Sequence, residues 1–117
     1  VLSFISLALR WRNRRMVTEL RLASGIDSLT GLANRRGFAE WATATTAAGP
    51  TPRQALLIFD LDRFKAVNDR HGHLAGDELL KTAAGWLSER FGDCGIVARW
   101  GGDEFVATLP LAQDEAG

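Results

Sequence analysis

The chain has 117 residues, enough for one domain of ordinary size or a piece of a larger one. Hydrophobic residues make up 46% and charged residues 24%, the balance of a chain that folds rather than a disordered one. Fourteen basic and fourteen acidic residues cancel, which argues against a nucleic-acid partner; the single cysteine, Cys94, excludes an internal disulfide and points to a reducing compartment.

The first nine residues carry no charge, whereas residues 10–15 read Arg-Trp-Arg-Asn-Arg-Arg. A membrane span needs about 20 apolar residues, so this stretch alone cannot cross a bilayer. The chain opens on Val1 rather than Met, which suggests a piece of something longer. Two readings stay open. The stretch is the end of a transmembrane helix, with Trp11 at the headgroups and the arginines on the cytoplasmic side, or it is a short helix packed on the domain. A signal peptide would put the charges first. Residues 10–24 lack Gly and Pro, and Leu9, Met16, Leu20 and Ala23 fall on one helical stripe. They predict a basic connector helix over residues 10–25, stopped at Gly25. The domain itself is then expected over residues 26–117.

A turn-rich segment from Asp27 leads to a helix predicted over residues 35–47, with Asn34 as its N-cap. Pro50, Pro52 and Gly49 mark a loop. Residues 55–60 form a continuous apolar run ending in Asp60, the pattern of a strand buried on both faces. A polar turn region is expected next, then a helix over residues 76–91 with Leu79, Leu80, Ala83, Ala84, Leu87 and Phe91 on one face. Residues 96–100 and 104–109 read as strands, joined by a tight hairpin in which Gly101 and Gly102 can both take positive φ. Helices over a sheet, an α/β (α+β) sandwich, is the implied architecture. Trp41, Trp86 and Trp100 are expected in the core, and Cys94 in a loop, partly buried.

Carboxylates fall where elements end. Asp60 closes one strand, Asp62 follows, and Asp103 and Glu104 stand at the hairpin tip. If the strands are neighbours, these groups share one end of the sheet and repel, so a proton or a divalent cation must neutralise them. Oxygen ligands suit Mg²⁺ or Mn²⁺, and such sites serve phosphate chemistry, with metals about 3.5–4 Å apart. The alternative is a set of solvated turn carboxylates; spacing alone does not separate the two. Lys65 and Asn68 suit a phosphate and a base edge, or an ordinary helix end. His71 and His73 flank a glycine and read as turn residues. No Gly-x-x-x-x-Gly-Lys-Ser/Thr pattern is present, which excludes a P-loop.

Three blocks in order carry a resemblance. Asp27-Ser-Leu-Thr-Gly-Leu-Ala-Asn-Arg-Arg36 opens them, Phe59-Asp-Leu-Asp-Arg-Phe-Lys is continued to Asp77, and Arg99-Trp-Gly-Gly-Asp-Glu-Phe105 closes them. Together they resemble the GGDEF diguanylate cyclase family. The resemblance implies a fold like the adenylyl cyclase and polymerase palm, and the joining of two GTP into cyclic di-GMP with loss of two diphosphates. It implies a Mg²⁺ (or Mn²⁺) site at Asp60, the Leu61 carbonyl, Asp103 and Glu104, with Asp103 and Glu104 also activating the attacking 3′-hydroxyl. Gly101 and Gly102 would let the nucleotide approach the backbone. Asn68 and Asp77 match guanine contacts, and Phe64 and Lys65 match substrate contacts, Lys65 at a phosphate. Each 3′-hydroxyl attacks the other nucleotide's α-phosphorus across a homodimer. The domain would be cytoplasmic, held at the inner membrane by the preceding segment.

Two departures accompany the resemblance. The Arg-x-x-Asp product site of many members is replaced, in the matching register, by Gly92-Asp-Cys-Gly95. The family's domain also continues past the point where this chain ends, which leads us to expect a truncated domain. A GTP- or cyclic di-GMP-binding regulator without catalysis is the rival reading; an intact signature speaks for the enzyme.

Overall fold

The computed structural model describes residues 24–50 and 52–112. The apolar stretch at residues 1–9 and nearly all of the connector at residues 10–25 lie outside the described residues. No helix among the described residues is long and apolar enough to cross a membrane.

Among the described residues six elements follow one another: α1 (Arg35–Ala47), β1 (Gln54–Asp60), α2 (Phe64–His71), α3 (His73–Phe91), β2 (Val97–Gly101) and β3 (Glu104–Pro110). The Asn34 side chain accepts from the Gly37 amide and caps α1 as the sequence requires. Gly25 takes φ 85°, a conformation open to glycine.

The three strands form an antiparallel sheet in the order β1-β3-β2, so the strand carrying the end of the signature is central. β1 pairs with β3 from Gln54 opposite Pro110 to Asp60 opposite Glu104. α3 packs over β2 and β3. Leu80, Ala84 and Leu87 recur at helical spacing and meet Val97, Phe105 and Ala107, forming the core; Phe105 is fully enclosed. Burying each of the large side chains contributes roughly 1.5–3 kcal/mol. Next to this core, α1 reaches β2 through Phe38, whose ring meets Trp100 edge-on at 5.5 Å.

The segment expected as a polar turn is instead the helix α2, and α3 begins at His73 rather than Gly76. Phe64 and Val67 supply a short apolar face, and Gly72, at φ 89° and ψ 167°, turns the chain between the helices within one residue. Nor is β1 buried on both faces. Its exposure alternates, with Leu56 54% and Ile58 63% exposed, because it is an outer strand and only its inward residues reach the core. Trp86 is exposed with the Arg90 guanidinium 5.1 Å from its ring centre, while Trp41 and Trp100 are half-buried. Cys94 is exposed rather than partly buried. At the hairpin only Gly102 has positive φ, 34°; Gly101 ends β2 just after an irregularity in pairing that begins at Arg99.

Candidate functional site

Antiparallel pairing of β1 with β3 brings Asp60 to the end of the sheet where the β2–β3 hairpin turns. Asp60 stands opposite Glu104, and the Leu61 amide donates to the Asp103 carbonyl at 3.1 Å. The Asp60 and Asp103 carboxyls lie within hydrogen-bonding reach. That contact, then the Asp103 charge, raises the Asp60 pKa above its ordinary 3.8, with lost solvation and the charges of Glu104 and Asp62 adding to it. The repulsion is relieved where Asp60 holds its proton or where a cation enters.

Glu104 acts on Asp60 by charge alone: its exposed side chain does not close on the pair. Among the described residues no three His, Cys, Asp or Glu side chains are grouped to hold a metal. The donors that do converge are carboxylate oxygens, with no imidazole or thiolate beside them, so the chemistry fits a hard divalent cation.

The remaining sequence candidates stand on α2 and α3. Phe64 opens α2 and packs on the core cluster, whereas Lys65 beside it is exposed. The residue before them, Arg63, holds a left-handed conformation, φ 60° and ψ 27°, unusual for a side chain larger than Asn. Asn68 lies against Gly76, immediately before the half-buried Asp77. His71 and His73 are both exposed, on either side of Gly72.

A brace around the hairpin was not legible as such in the sequence. Arg99 donates through Nε and Nη2 to the Gly102 carbonyl at 3.0 and 2.8 Å, and its Nη1 lies 3.4 Å from both Asp27 carboxylate oxygens. Thr30 donates to the same carboxylate from its hydroxyl and amide at 2.7 and 3.0 Å. Burial acts to raise the Asp27 pKa, but the Thr30 bonds and the Arg99 charge outweigh it and hold the group below its usual value. On the other side, Arg35 donates to the Trp100 carbonyl at 2.8 Å and stacks on that ring. Asp27 and Arg99 belong to the first and third sequence blocks; what the sequence lacked was any sign that they meet.

Comparison with known proteins places this geometry. A model of the family described as "Diguanylate cyclase, GGDEF domain" matches residues 24–117. The probable diguanylate cyclase DgcE of Escherichia coli K12 is 42% identical over 84% of this chain, and the diguanylate cyclase DgcP of Pseudomonas aeruginosa is 44% identical over 78%. The chain spans only 9% and 14% of those two relatives. Among solved structures, a sensory box/GGDEF family protein from Caulobacter crescentus aligns with a TM-score of 0.65 at 40% identity, covering 79% of this chain and 60% of that one. The coiled coil and GGDEF domain of DgcB from the same organism, solved in complex with c-di-GMP, gives 0.65 at 28%, over 95% of this chain and 59% of that one. With three sequence blocks converging on one hairpin, and the family model spanning all of them, the chain belongs to the GGDEF domain family of diguanylate cyclases.

Proposed function

We propose that this chain is the catalytic domain of a diguanylate cyclase that condenses two GTP into cyclic di-GMP. The observation that carries the reading is the approach of Asp60 to Asp103 at the tip of an intact Gly-Gly-Asp-Glu-Phe hairpin. Two apposed carboxylates at an exposed end of a sheet cost repulsion that packing does not require, and phosphate chemistry gives them a use.

In this reading Asp60, Asp103 and the Leu61 carbonyl hold Mg²⁺ or Mn²⁺, with Glu104 drawn in from its paired position. When bound, the cation would supply positive charge to the phosphates and ease deprotonation of the attacking hydroxyl. Asp103 and Glu104 accept the 3′-hydroxyl proton as oxygen attacks the α-phosphorus of the second nucleotide and diphosphate leaves. Gly101 and Gly102 present bare backbone to the nucleotide. Asn68 and Asp77 read the guanine edge: a carboxylate accepting from N1–H and the exocyclic amine rejects adenine, which lacks those donors. Phe64 and Lys65 contact the substrate at the head of α2, Lys65 as a point charge at a phosphate. One site holds one GTP, so ring closure needs a second copy facing the first. Placement at the cytoplasmic face of the inner membrane, through residues 1–9, belongs to the same proposal.

Incubation of the full-length protein with GTP and Mg²⁺, followed by mass-resolved chromatography, tests it. Cyclic di-GMP is expected from the wild type and not from Asp103→Ala/Glu104→Ala. A folded wild type that binds GTP and releases no product would overturn the enzyme reading in favour of a nucleotide-binding regulator.

A further inference from the structure

α3 contains two interior glycines in opposite surroundings. Glycine within a helix is less favourable than alanine, so each position either tolerates the loss or has a reason for it. Gly85 is exposed, and a Cβ added there meets nothing within 4 Å. Gly76 is buried. A Cβ at Gly76 collides with Asn68 Oδ1 and comes to 2.8 Å from Cγ and 3.2 Å from Nδ2. The whole amide of Asn68 therefore lies over the one position of this helix turn that has no side chain.

That placement is not what packing alone selects. Asn68 Oδ1 is enclosed and has no hydrogen-bond partner among the described residues. An amide oxygen removed from water without a donor loses hydration for nothing in return, and rotation of the side chain toward solvent would relieve it. The fit against Gly76 keeps the amide at the α2–α3 contact, next in line to Asp77. With Oδ1 enclosed against Gly76, the contact holds the planar amide at one tilt.

We infer that Gly76 is the positioning residue for base recognition: by lacking a side chain it seats the Asn68 amide beside Asp77. The inference rests on the reading of Asn68 and Asp77 as base contacts. It adds a third residue, one that touches no substrate and sets the orientation of one that does.

The test compares Gly76→Ala, Gly85→Ala, Asn68→Ala and Asn68→Ala/Gly76→Ala in the full-length protein, by GTP titration of activity, displacement of a fluorescent GTP analogue, and thermal melting. Gly76→Ala is expected to raise KM and Kd for GTP roughly tenfold, like Asn68→Ala, because a base-reading group is lost in both. Its kcat is expected to stay within about twofold, since binding rather than chemistry is affected. Alanine favours the helix, so its melting temperature should not fall. Gly85→Ala should gain stability with wild-type KM. The double variant should match Asn68→Ala, since no amide remains to displace. A wild-type KM in Gly76→Ala, beside a raised KM in Asn68→Ala, overturns the inference alone, as do losses that multiply in the double variant. A wild-type KM in Asn68→Ala instead overturns the base-contact reading beneath it. If Gly76→Ala does not fold, recovery of folding in the double variant supports the collision with Asn68, and continued unfolding refutes it.

Discussion

Arg99 and Asp27 form an ion pair at 3.4 Å that joins the first turn of the domain to the signature hairpin, with their side chains only 17% and 20% exposed. The same guanidinium holds the Gly102 carbonyl. Whatever enters the domain ahead of Asp27 therefore meets, within one side chain, the turn that carries Asp103.

Replacing Arg99 with Met should take the positive charge from a half-buried carboxylate that keeps only its Thr30 bonds, and both donors from the Gly102 carbonyl, at a cost of about 1–3 kcal/mol in urea denaturation. Asp27→Asn should cost less, because Thr30 still caps the amide oxygen. The sign with pH follows from the lowered Asp27 pKa: its stabilisation is present above the ordinary value of 3.8 and is lost as pH falls through the lowered one. Wild type should thus lose more stability than Asp27→Asn on acidification from about pH 5 to 2.

Asp60 has the opposite sign. Its pKa is raised, so the folded chain holds the proton more tightly than the unfolded one, and stability falls as pH rises from 3.8 through the raised value. Without divalent cations, Asp60→Asn should melt above wild type near neutral pH. Mg²⁺ should raise the wild-type melting temperature more well above the raised Asp60 value than close to 3.8, where the Asp60 proton competes, and should leave Asp60→Asn unmoved. Equal Mg²⁺ responses in both proteins would refute the role given to this pair.

Gly72 links α2 to α3 at φ 89° and ψ 167°, a region essentially confined to glycine. Gly72→Ala should destabilise by about 1–3 kcal/mol, read from the denaturation midpoint at unchanged slope. A neutral substitution would mean that the two helices can rejoin by another route.

Product inhibition through the Arg-x-x-Asp register should be weak. Residues 92–95 hold no arginine, and the nearby Arg90 guanidinium is laid on the Trp86 ring, 5.1 Å from its centre. Initial rates with added cyclic di-GMP should change little; strong non-competitive inhibition would show another route to the same control.

The sequence made the ends of the machinery plain and its middle obscure. Asp60 at the close of an apolar run and Asp103-Glu104 after two glycines announced a shared sheet end, because both signals are local and strands leave few arrangements. The helix cap at Asn34 and the Leu80, Ala84, Leu87 stripe were readable for the same reason. α2 was hidden by Gly72, which reads as loop punctuation and in fact turns the chain in a single residue. The open face of β1 was hidden because an apolar run says how greasy a strand is, and its place in the sheet decides what covers it. Neither the Arg99–Asp27 brace nor the Asn68–Gly76 contact has a local signature; each depends on elements brought together by the fold.

Asp60 and Glu104 face each other across neighbouring strands, and every residue assigned to the proposed site lies at or between them. The site is thus one closed loop of chain. Closing a loop of this length costs about 3 kcal/mol of chain entropy before any contact returns it. The acidic cluster therefore assembles in a single event, when β1 finds β3. On a ribosome, a chain that has reached Asp77 but not yet Glu104 holds only one side of that cluster, however much of α2 and α3 it has already made.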